Sequence, residues 1–248
     1  MIDLAVLITA PFVGSFLGTV ILRLPHGQPV VSGRSTCDSC GKILKWFELI
    51  PLLSWTLQRG RCRHCGARLG WFYPAIELAA LAAAVWAAAV TSGWLTILSV
   101  VIGWWLLALA VIDWRHFLLP DLLTLPLIPM GLGAVYFLGH QSVLDAILST
   151  VIGLAVFCAI AAAYRKLRGR EGLGFGDAKL AAGAGAWLGW YGLPSMLLIA
   201  SFTALVWALA AGRHQGTMDW QAKVSFGSFL CLGFWLTWLH GPFGFPIG

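Results

Sequence analysis

The sequence predicts an all-α polytopic membrane protein, with about eight transmembrane helices and one small cytoplasmic loop domain of zinc-ribbon type. Three observations predict it. Long stretches carry no charged residue, the basic residues gather in alternate loops, and four cysteines stand as two C-x-x-C pairs in the one sizeable polar segment. Of the 248 residues, 59% are hydrophobic, 10% are charged and 14 are Trp. That balance is too apolar for a soluble domain of this size.

Charge-free runs cover residues 4–22, 78–112, 122–144, 146–164, 180–212 and 224–248. A membrane helix needs about 20 such residues. The two longest runs divide at Thr91-Ser92-Gly93 and at Tyr191-Gly192-Leu193-Pro194. Helices are therefore expected at 1–23, 74–91, 94–114, 119–138, 142–164, 178–190, 194–212 and 224–241. The first reads as an anchor rather than a cleaved signal peptide, because no positive segment precedes it and Arg23 follows it. The Ala-rich stretch at 79–89 reads as a close-packing helix face. Trp104, Trp105, Trp187 and Trp190 read as interfacial anchors or packing.

The basic residues set the expected topology. Arg34, Lys42, Lys45, Arg59, Arg61, Arg63 and Arg68 lie between the first two helices. Arg115 follows the third helix, Arg165, Lys166, Arg168 and Arg170 follow the fifth, and Arg213 and Lys223 flank the last loop. The intervening turns at 91–93, 139–141 and 191–193 carry none. Basic loops on the cytoplasmic side, and both termini outside, follow from this bias. The run at 165–170 also suits a contact with membrane lipids. The net charge of +6 is mostly loop bias, and it offers no basic soluble face for nucleic acid. Three parts result: the first helix at 1–23, a four-cysteine loop domain at 24–73, and a membrane domain at 74–248.

The loop domain holds Cys37-Asp-Ser-Cys40 and Cys62-Arg-His-Cys65. Two such pairs are zinc-ribbon spacing, and four thiolates close a tetrahedral site with no open position. Two disulfides are the alternative; a reducing cytosol disfavours them. Gly41 and Gly66 directly follow the second cysteine of each pair, as a knuckle turn wants. The role of Zn²⁺ here is structural, since a loop with few apolar side chains needs a staple. His64 is a rival ligand, better read as solvated. Cys158 and Cys231 lie in apolar helices and read as buried small hydrophobes.

With so few charges, each acid has to be accounted for. Asp113 ends one apolar run and Asp177 ends Gly174-Phe175-Gly176-Asp177 before another. Both map to the cytoplasmic ends of helices, so they can meet at one membrane depth. Two adjacent carboxylates suffice for peptide hydrolysis: one activates water and the other protonates the leaving amine. Gly174 and Gly176 are supporting residues, giving a tight turn and room for an extended substrate backbone. Helix ends assign roles to the pair. The start of the sixth helix favours an ionised Asp177 as base, and the end of the third disfavours charge on Asp113, leaving it the acid.

Plainer readings exist for each acid. Asp177 alone is an N-cap and Asp113 alone an ion-pair partner of Arg115. Asp121 is a rival for Asp113, or a cap for the fourth helix. Asp145 reads as interfacial, Asp3 and Asp219 as solvated. Glu77, near the start of the second helix, reads as lining a methyl-donor site or pairing with loop arginines. Lys179 orients a carboxylate or substrate carbonyl, or snorkels to the interface. A membrane transporter or assembly scaffold with a structural zinc module is the competing class; its usual signs, repeat-like halves and midplane acids, are not visible.

Several motifs converge. Cys37-x-x-Cys40-Gly41 is followed by Trp46-Phe-Glu48-Leu-Ile50-Pro51-Leu-Leu-Ser54-Trp55, Arg59-Gly60-Arg61-Cys62-x-x-Cys65 and Tyr73-Pro74-x-x-Glu77-Leu78. Then come Ile112-Asp113, Leu119-Pro120-Asp121-x-Leu123-Thr124-Leu125-Pro126 and Glu171-Gly-Leu-Gly174-Phe-Gly176-Asp177-x-Lys179-Leu180. Along nearly the whole chain, order and spacing resemble the bacterial type IV prepilin peptidases, membrane aspartic proteases with a G-x-G-D signature. The resemblance implies a bifunctional enzyme of the bacterial inner membrane. It implies cleavage of the basic leader of type IV prepilins or type II secretion pseudopilins on the cytoplasmic side, then N-methylation of the new terminus with S-adenosylmethionine. It implies Asp113 and Asp177 as catalytic, and Cys37, Cys40, Cys62 and Cys65 as zinc ligands. The chain departs from the family pattern twice. Ala79-Ala80-Leu81 stands where relatives usually carry a Thr-Gly-like pair, and Ser225-Phe226-Gly227-Ser228-Phe229-Leu230 where they often read Pro-Phe-Gly-Pro-Phe-Leu. The second departure is read as a matter of helix geometry rather than chemistry.

Overall fold

The structure, a computed structural model, describes residues 2–37, 39–139, 141–169, 173–215 and 224–243. Arg170, Glu171, Asp219 and Lys223 lie outside the described residues, as do the side chains of Asp3, Arg168 and Arg213. The helices are α1 (Ile2–Arg23), α2 (Leu53–Leu57), α3 (Phe72–Val90), α4 (Trp94–His116), α5 (Asp121–Thr124), α6 (Leu127–Leu138), α7 (Val143–Arg168), α8 (Phe175–Gln215) and α9 (Phe226–His240). The remaining pairing among the described residues is two isolated β-bridges in the cysteine loop. Among the described residues, six helical stretches are long and apolar enough to cross a membrane, and Phe226–His240 is apolar but shorter.

The expected segments are all helical, with boundaries shifted by a few residues and two differences of layout. The fourth breaks at Leu125-Pro126 into α5 and α6, because Pro126 has no N–H to continue the ladder. The sixth and seventh share α8. A straight helix of 41 residues would be about 60 Å long, twice a bilayer's hydrocarbon core. The break expected at Tyr191–Pro194 falls instead at Gly189, whose φ of 65° and ψ of −169° suit glycine. Pro194 stays inside the second leg.

The chain divides into two compact units, Met1–Ala108 and Leu109–Gly248. In the first, α1 packs on α3 through small residues. A methyl added to Gly14 would lie 2.6 Å from the Glu77 α-carbon and 3.1 Å from Ala80. Trp104 donates its indole N–H to the Ala80 carbonyl at 2.9 Å, so it acts as packing rather than as an interfacial anchor.

In the second unit, α8 is the central element, with α5, α6, α7 and α9 against it. A methyl on Gly153 of α7 would lie 2.7 Å from the Ala181 carbonyl of α8, which shows how closely the backbones approach. Trp187, fully buried, donates to the Leu127 carbonyl at 2.8 Å and ties α8 to α6. Trp190 is exposed, as an anchor would be.

Candidate active site and metal centre

The loop cysteines form two matching knuckles. In the first, Cys37 N–H donates to the Lys42 carbonyl at 2.9 Å and Gly41 N–H to the Cys37 carbonyl at 2.8 Å. In the second, Cys62 N–H donates to Ala67 at 2.8 Å and Gly66 N–H to Cys62 at 2.9 Å. Gly41 and Gly66 take φ of 68° and 71°, the left-handed turn each knuckle needs. One bridge closes behind each knuckle, Thr36 with Ile43 and Arg61 with Arg68.

All four Sγ atoms lie within 4.8 Å of one another, and Cys37 and Cys65 are 3.9 Å apart. Thiolates about 2.3 Å from a tetrahedral zinc would be about 3.8 Å apart. The four cysteines are unbridged, and the donor set fits zinc. Hydrogen bonds from the backbone of Cys65 and His64 bring the Cys62 thiol down to about 7. The His64 ring faces Lys42, 3.0 Å from Nδ1 to Nζ, and stands apart from the ligand set.

Glu77 is 4% exposed on the second turn of α3. Its Oε2 accepts the Leu52 N–H at 2.8 Å. That bond helps to hold Leu52 at a positive φ, 59°, in the tight turn at the start of α2. Ser15 of α1 also bonds the Glu77 carboxyl. Glu77 thus joins α1, α3 and the loop, a role the sequence does not reveal. Loop arginines are not its partners among these bonds.

Asp113 and Asp177 come together in the second unit. They are 6% and 8% exposed. Gly227, in the first turn of α9, lies between them: a methyl there would be 2.8 Å from Asp113 Oδ2 and 2.9 Å from Asp177 Oδ1. The two oxygens are no further apart than those two short distances allow. A side chain at 227 would occupy the space they share.

Each carboxylate is held by a helix start. Asp177 sits in the first turn of α8, and its Oδ2 accepts the Gly174 N–H at 3.1 Å. It is not the N-cap expected of it; it lies three residues further in and reaches back, as the acid of a capping box does. Asp113 lies near the end of α4, yet its Oδ2 meets the start of α9. Ser228 N–H donates to it at 2.8 Å, Ser225 Oγ–H donates to it, and Ser228 Oγ lies 3.3 Å away.

The supporting glycines find neighbours within the protein. Neither Gly174 nor Gly176 has positive φ, and the Asp177 N–H donates to the Gly174 carbonyl at 3.1 Å, so the chain turns tightly here without left-handed angles. A methyl on Gly176 would come 2.9 Å from Leu119 Cβ, so this position is small to seat α8 against the chain before α5. Asp121, the rival of Asp113, instead pairs with Lys179. The Lys179 ammonium also lies 4.7 Å from the Phe175 ring centre. The side chain of Asp121 is 59% exposed, whereas Asp113 is buried.

Sequence reasoning missed Ser225, Gly227 and Ser228. The available signal was the departure from Pro-Phe-Gly-Pro, which puts two hydroxyls and two extra N–H groups at a helix start. Their effect is chemical as well as geometric. A hydrogen bond to a charged group contributes about 1.5–3 kcal/mol, against about 0.3–1 kcal/mol for a helix end, or up to ~2 kcal/mol where it is partly buried. The helix-end argument left these donors on Asp113 Oδ2 out of account.

The family model of the bacterial peptidase A24 N-terminal domain matches residues 8–91. That of the type IV leader peptidase family matches residues 100–209, across both aspartates. The prepilin leader peptidase/N-methyltransferase of Aeromonas salmonicida (strain A449) is 36% identical, covering 92% of this chain and 87% of that protein. That of Burkholderia pseudomallei (strain 1026b) is 37% identical, covering 95% and 85%. That of Dickeya chrysanthemi is 37% identical, covering 92% and 89%. The chain belongs to the type IV leader peptidase family. No solved structure matches it. The likeness to enzymes along most of both chains disfavours the transporter and scaffold readings.

Proposed function

We propose that this family member is a bifunctional membrane enzyme: a prepilin leader peptidase that also N-methylates its product. Its substrates are type IV prepilins or type II secretion pseudopilins, cut between the basic leader and the mature terminus. The observation that carries the reading is the pair of buried carboxylates meeting across Gly227, within a stretch matched by the leader peptidase family.

Asp113 and Asp177 are the catalytic residues in this reading. One carboxylate takes a proton from water as it attacks the scissile carbonyl, and the other protonates the leaving amine. Gly174 and Gly176 support Asp177, one by its N–H and one by its lack of a side chain. Burial keeps other nucleophiles away, and the two helix starts orient both acids before substrate arrives.

Cys37, Cys40, Cys62 and Cys65 hold a structural zinc ion that fixes the loop at 24–73, between the helix at 1–23 and the membrane domain at 74–248. S-adenosylmethionine supplies the methyl group. Glu77 is the candidate acid for that donor, since a carboxylate accepts from the donor's amine and ribose hydroxyls. Its bonds to Leu52 and Ser15 leave acceptor capacity on the carboxylate. The basic loops support a multi-pass placement in the bacterial inner membrane, with the zinc loop and the dyad facing the cytoplasm and lipids around the helices.

The test is the purified protein in lipid, given a prepilin peptide with and without S-adenosylmethionine. Mass spectrometry should find leader-free product without the donor and methylated product with it. Intact prepilin in every sample would overturn the reading; cleaved, unmethylated product would leave the peptidase alone.

A further inference from the structure

We propose that Ser225 and Ser228 are positioning residues that clamp Asp113 by Oδ2, making Asp113 the water-activating base and leaving Asp177 the proton-donating acid. The inference rests on the peptidase reading above, and it reverses the roles that helix ends alone assign. It stands on this chain's own departure from Pro-Phe-Gly-Pro. Proline at 225 and 228 would supply no hydroxyl, and proline at 228 no N–H.

The donors can be counted. Two hydroxyl protons serve four contacts. Ser225 Oγ–H points to Asp113 Oδ2, and Ser228 Oγ–H is shared between the Ala110 carbonyl at 2.7 Å, Ser225 Oγ at 2.6 Å and Asp113 Oδ2 at 3.3 Å. The Ser228 N–H adds a donor that cannot turn away, 2.8 Å from the same oxygen. This N–H belongs to the first turn of α9, where it has no partner within the helix. Oδ2 thus accepts from the start of α9, and hydrogen bonds of this kind favour the charged form of a carboxylate. By contrast, among the described residues the Asp177 carboxylate accepts one hydrogen bond, from the Gly174 N–H.

The neighbours do not undo this. Asp177 faces the pair from α8 and the buried Cys231 lies one turn along α9. Lys179 is engaged by Asp121 of α5. Arg115 and His116 follow on α4 itself. With Oδ2 pinned by α9, Oδ1 is the oxygen left to take a proton from water. The step balances: the water proton passes to Asp113, hydroxide adds to the scissile carbonyl, and the Asp177 proton goes to the leaving nitrogen as the C–N bond breaks.

The experiment measures leader cleavage and infrared spectra on the full chain in lipid. Ser225→Ala should lower kcat roughly ten-fold or more with KM unchanged. Ser225→Thr, which keeps the hydroxyl, should restore it. Ser228→Pro, which matches the pattern of relatives and removes both N–H and hydroxyl, should lower kcat at least as far. Unchanged kcat in Ser225→Ala and Ser228→Pro would overturn the proposal. So would a loss that Ser225→Thr does not repair and that comes with an equal rise in KM. Infrared difference spectra decide the roles independently of any substrate. The C=O band of a protonated carboxyl should vanish in Asp177→Asn and persist in Asp113→Asn; the opposite pattern would overturn the assignment. A wild type that cleaves no prepilin would sink the functional reading while leaving that infrared result to stand or fall by itself.

Discussion

The cysteine loop and the aspartate pair are built in opposite ways. The loop's four cysteines come from two turns of the same design, each closed by its own backbone hydrogen bonds and one bridge. The pair draws on α4 and α8, held by groups at the starts of α8 and α9. A site made from local turns is stable as soon as the metal is present. A site made from distant helices depends on every contact that seats those helices.

That contrast predicts where damage spreads. Cys62→Ser breaks the local site and has the largest expected effect, since a structural zinc ion contributes about 10–16 kcal/mol of binding free energy. The metal content of the purified protein should fall from about one equivalent to well below it. Limited proteolysis should then cut within 24–73 and spare the second unit. New cuts in α8 or α9 would show that the two sites are not independent.

Asp113→Asn and Asp177→Asn attack the other site. Either should lower cleavage roughly a thousand-fold, within the range general acid–base groups contribute. Zinc content should stay at wild-type level, which separates chemistry from folding. Gly227→Ala sharpens the point without touching a carboxylate. Its methyl would sit less than 3 Å from both acids, at 2.8 and 2.9 Å, and also 2.9 Å from Leu119 Cδ1. The acids have to part, and kcat should fall about a hundred-fold, the order expected for a displacement near 1 Å. Wild-type activity in this variant would mean that the acids work at a wider spacing.

The same contrast accounts for what was legible. Membrane helices announce themselves by composition, so the segments and most of their ends could be read from charge-free runs. Knuckles announce themselves by spacing, because C-x-x-C-Gly encodes its own turn. The aspartates were legible because a carboxylate bordering an apolar membrane run is costly to keep, and its presence there points to chemistry. The break in α8 was misplaced because Tyr191–Pro194 looks like a turn, whereas proline in an apolar helix can be absorbed and Gly189 alone took the non-helical angles. Ser225, Gly227 and Ser228 were hidden because nothing in a sequence says which helix start will meet which carboxylate. The hold of Glu77 on Leu52 was hidden for the same reason: the two are 25 residues apart, with Leu52 on an irregular loop.

Glu77 offers a finer test on the loop side. Glu77→Leu leaves the half-buried Leu52 N–H without its acceptor, at a cost of about 1–3 kcal/mol. Thermal unfolding should shift down accordingly. Glu77→Gln keeps an acceptor and should stay near wild type in stability. If Glu77 also receives the methyl donor, Glu77→Gln should lose methylation and keep cleavage. Full methylation in Glu77→Gln would leave the residue purely structural.

The smallest expected effect is at Asp121, and it marks the edge of the aspartate site. Asp121 and Asp113 are eight residues apart and both precede or end helices, so sequence position alone hardly separates them. The surroundings do. Asp113 is buried against α9 and Asp177, while Asp121 is largely exposed and bonds Lys179. Exposed ion pairs contribute about 0–1 kcal/mol, and Asn at 121 can still accept a hydrogen bond from the ammonium. Asp121→Asn should therefore change kcat/KM by less than about five-fold. Raising the salt should erase even that difference, because screening weakens exposed pairs and not buried ones. A loss as deep as that of Asp113→Asn would place Asp121 in the chemistry and make the Lys179 pair part of the active site.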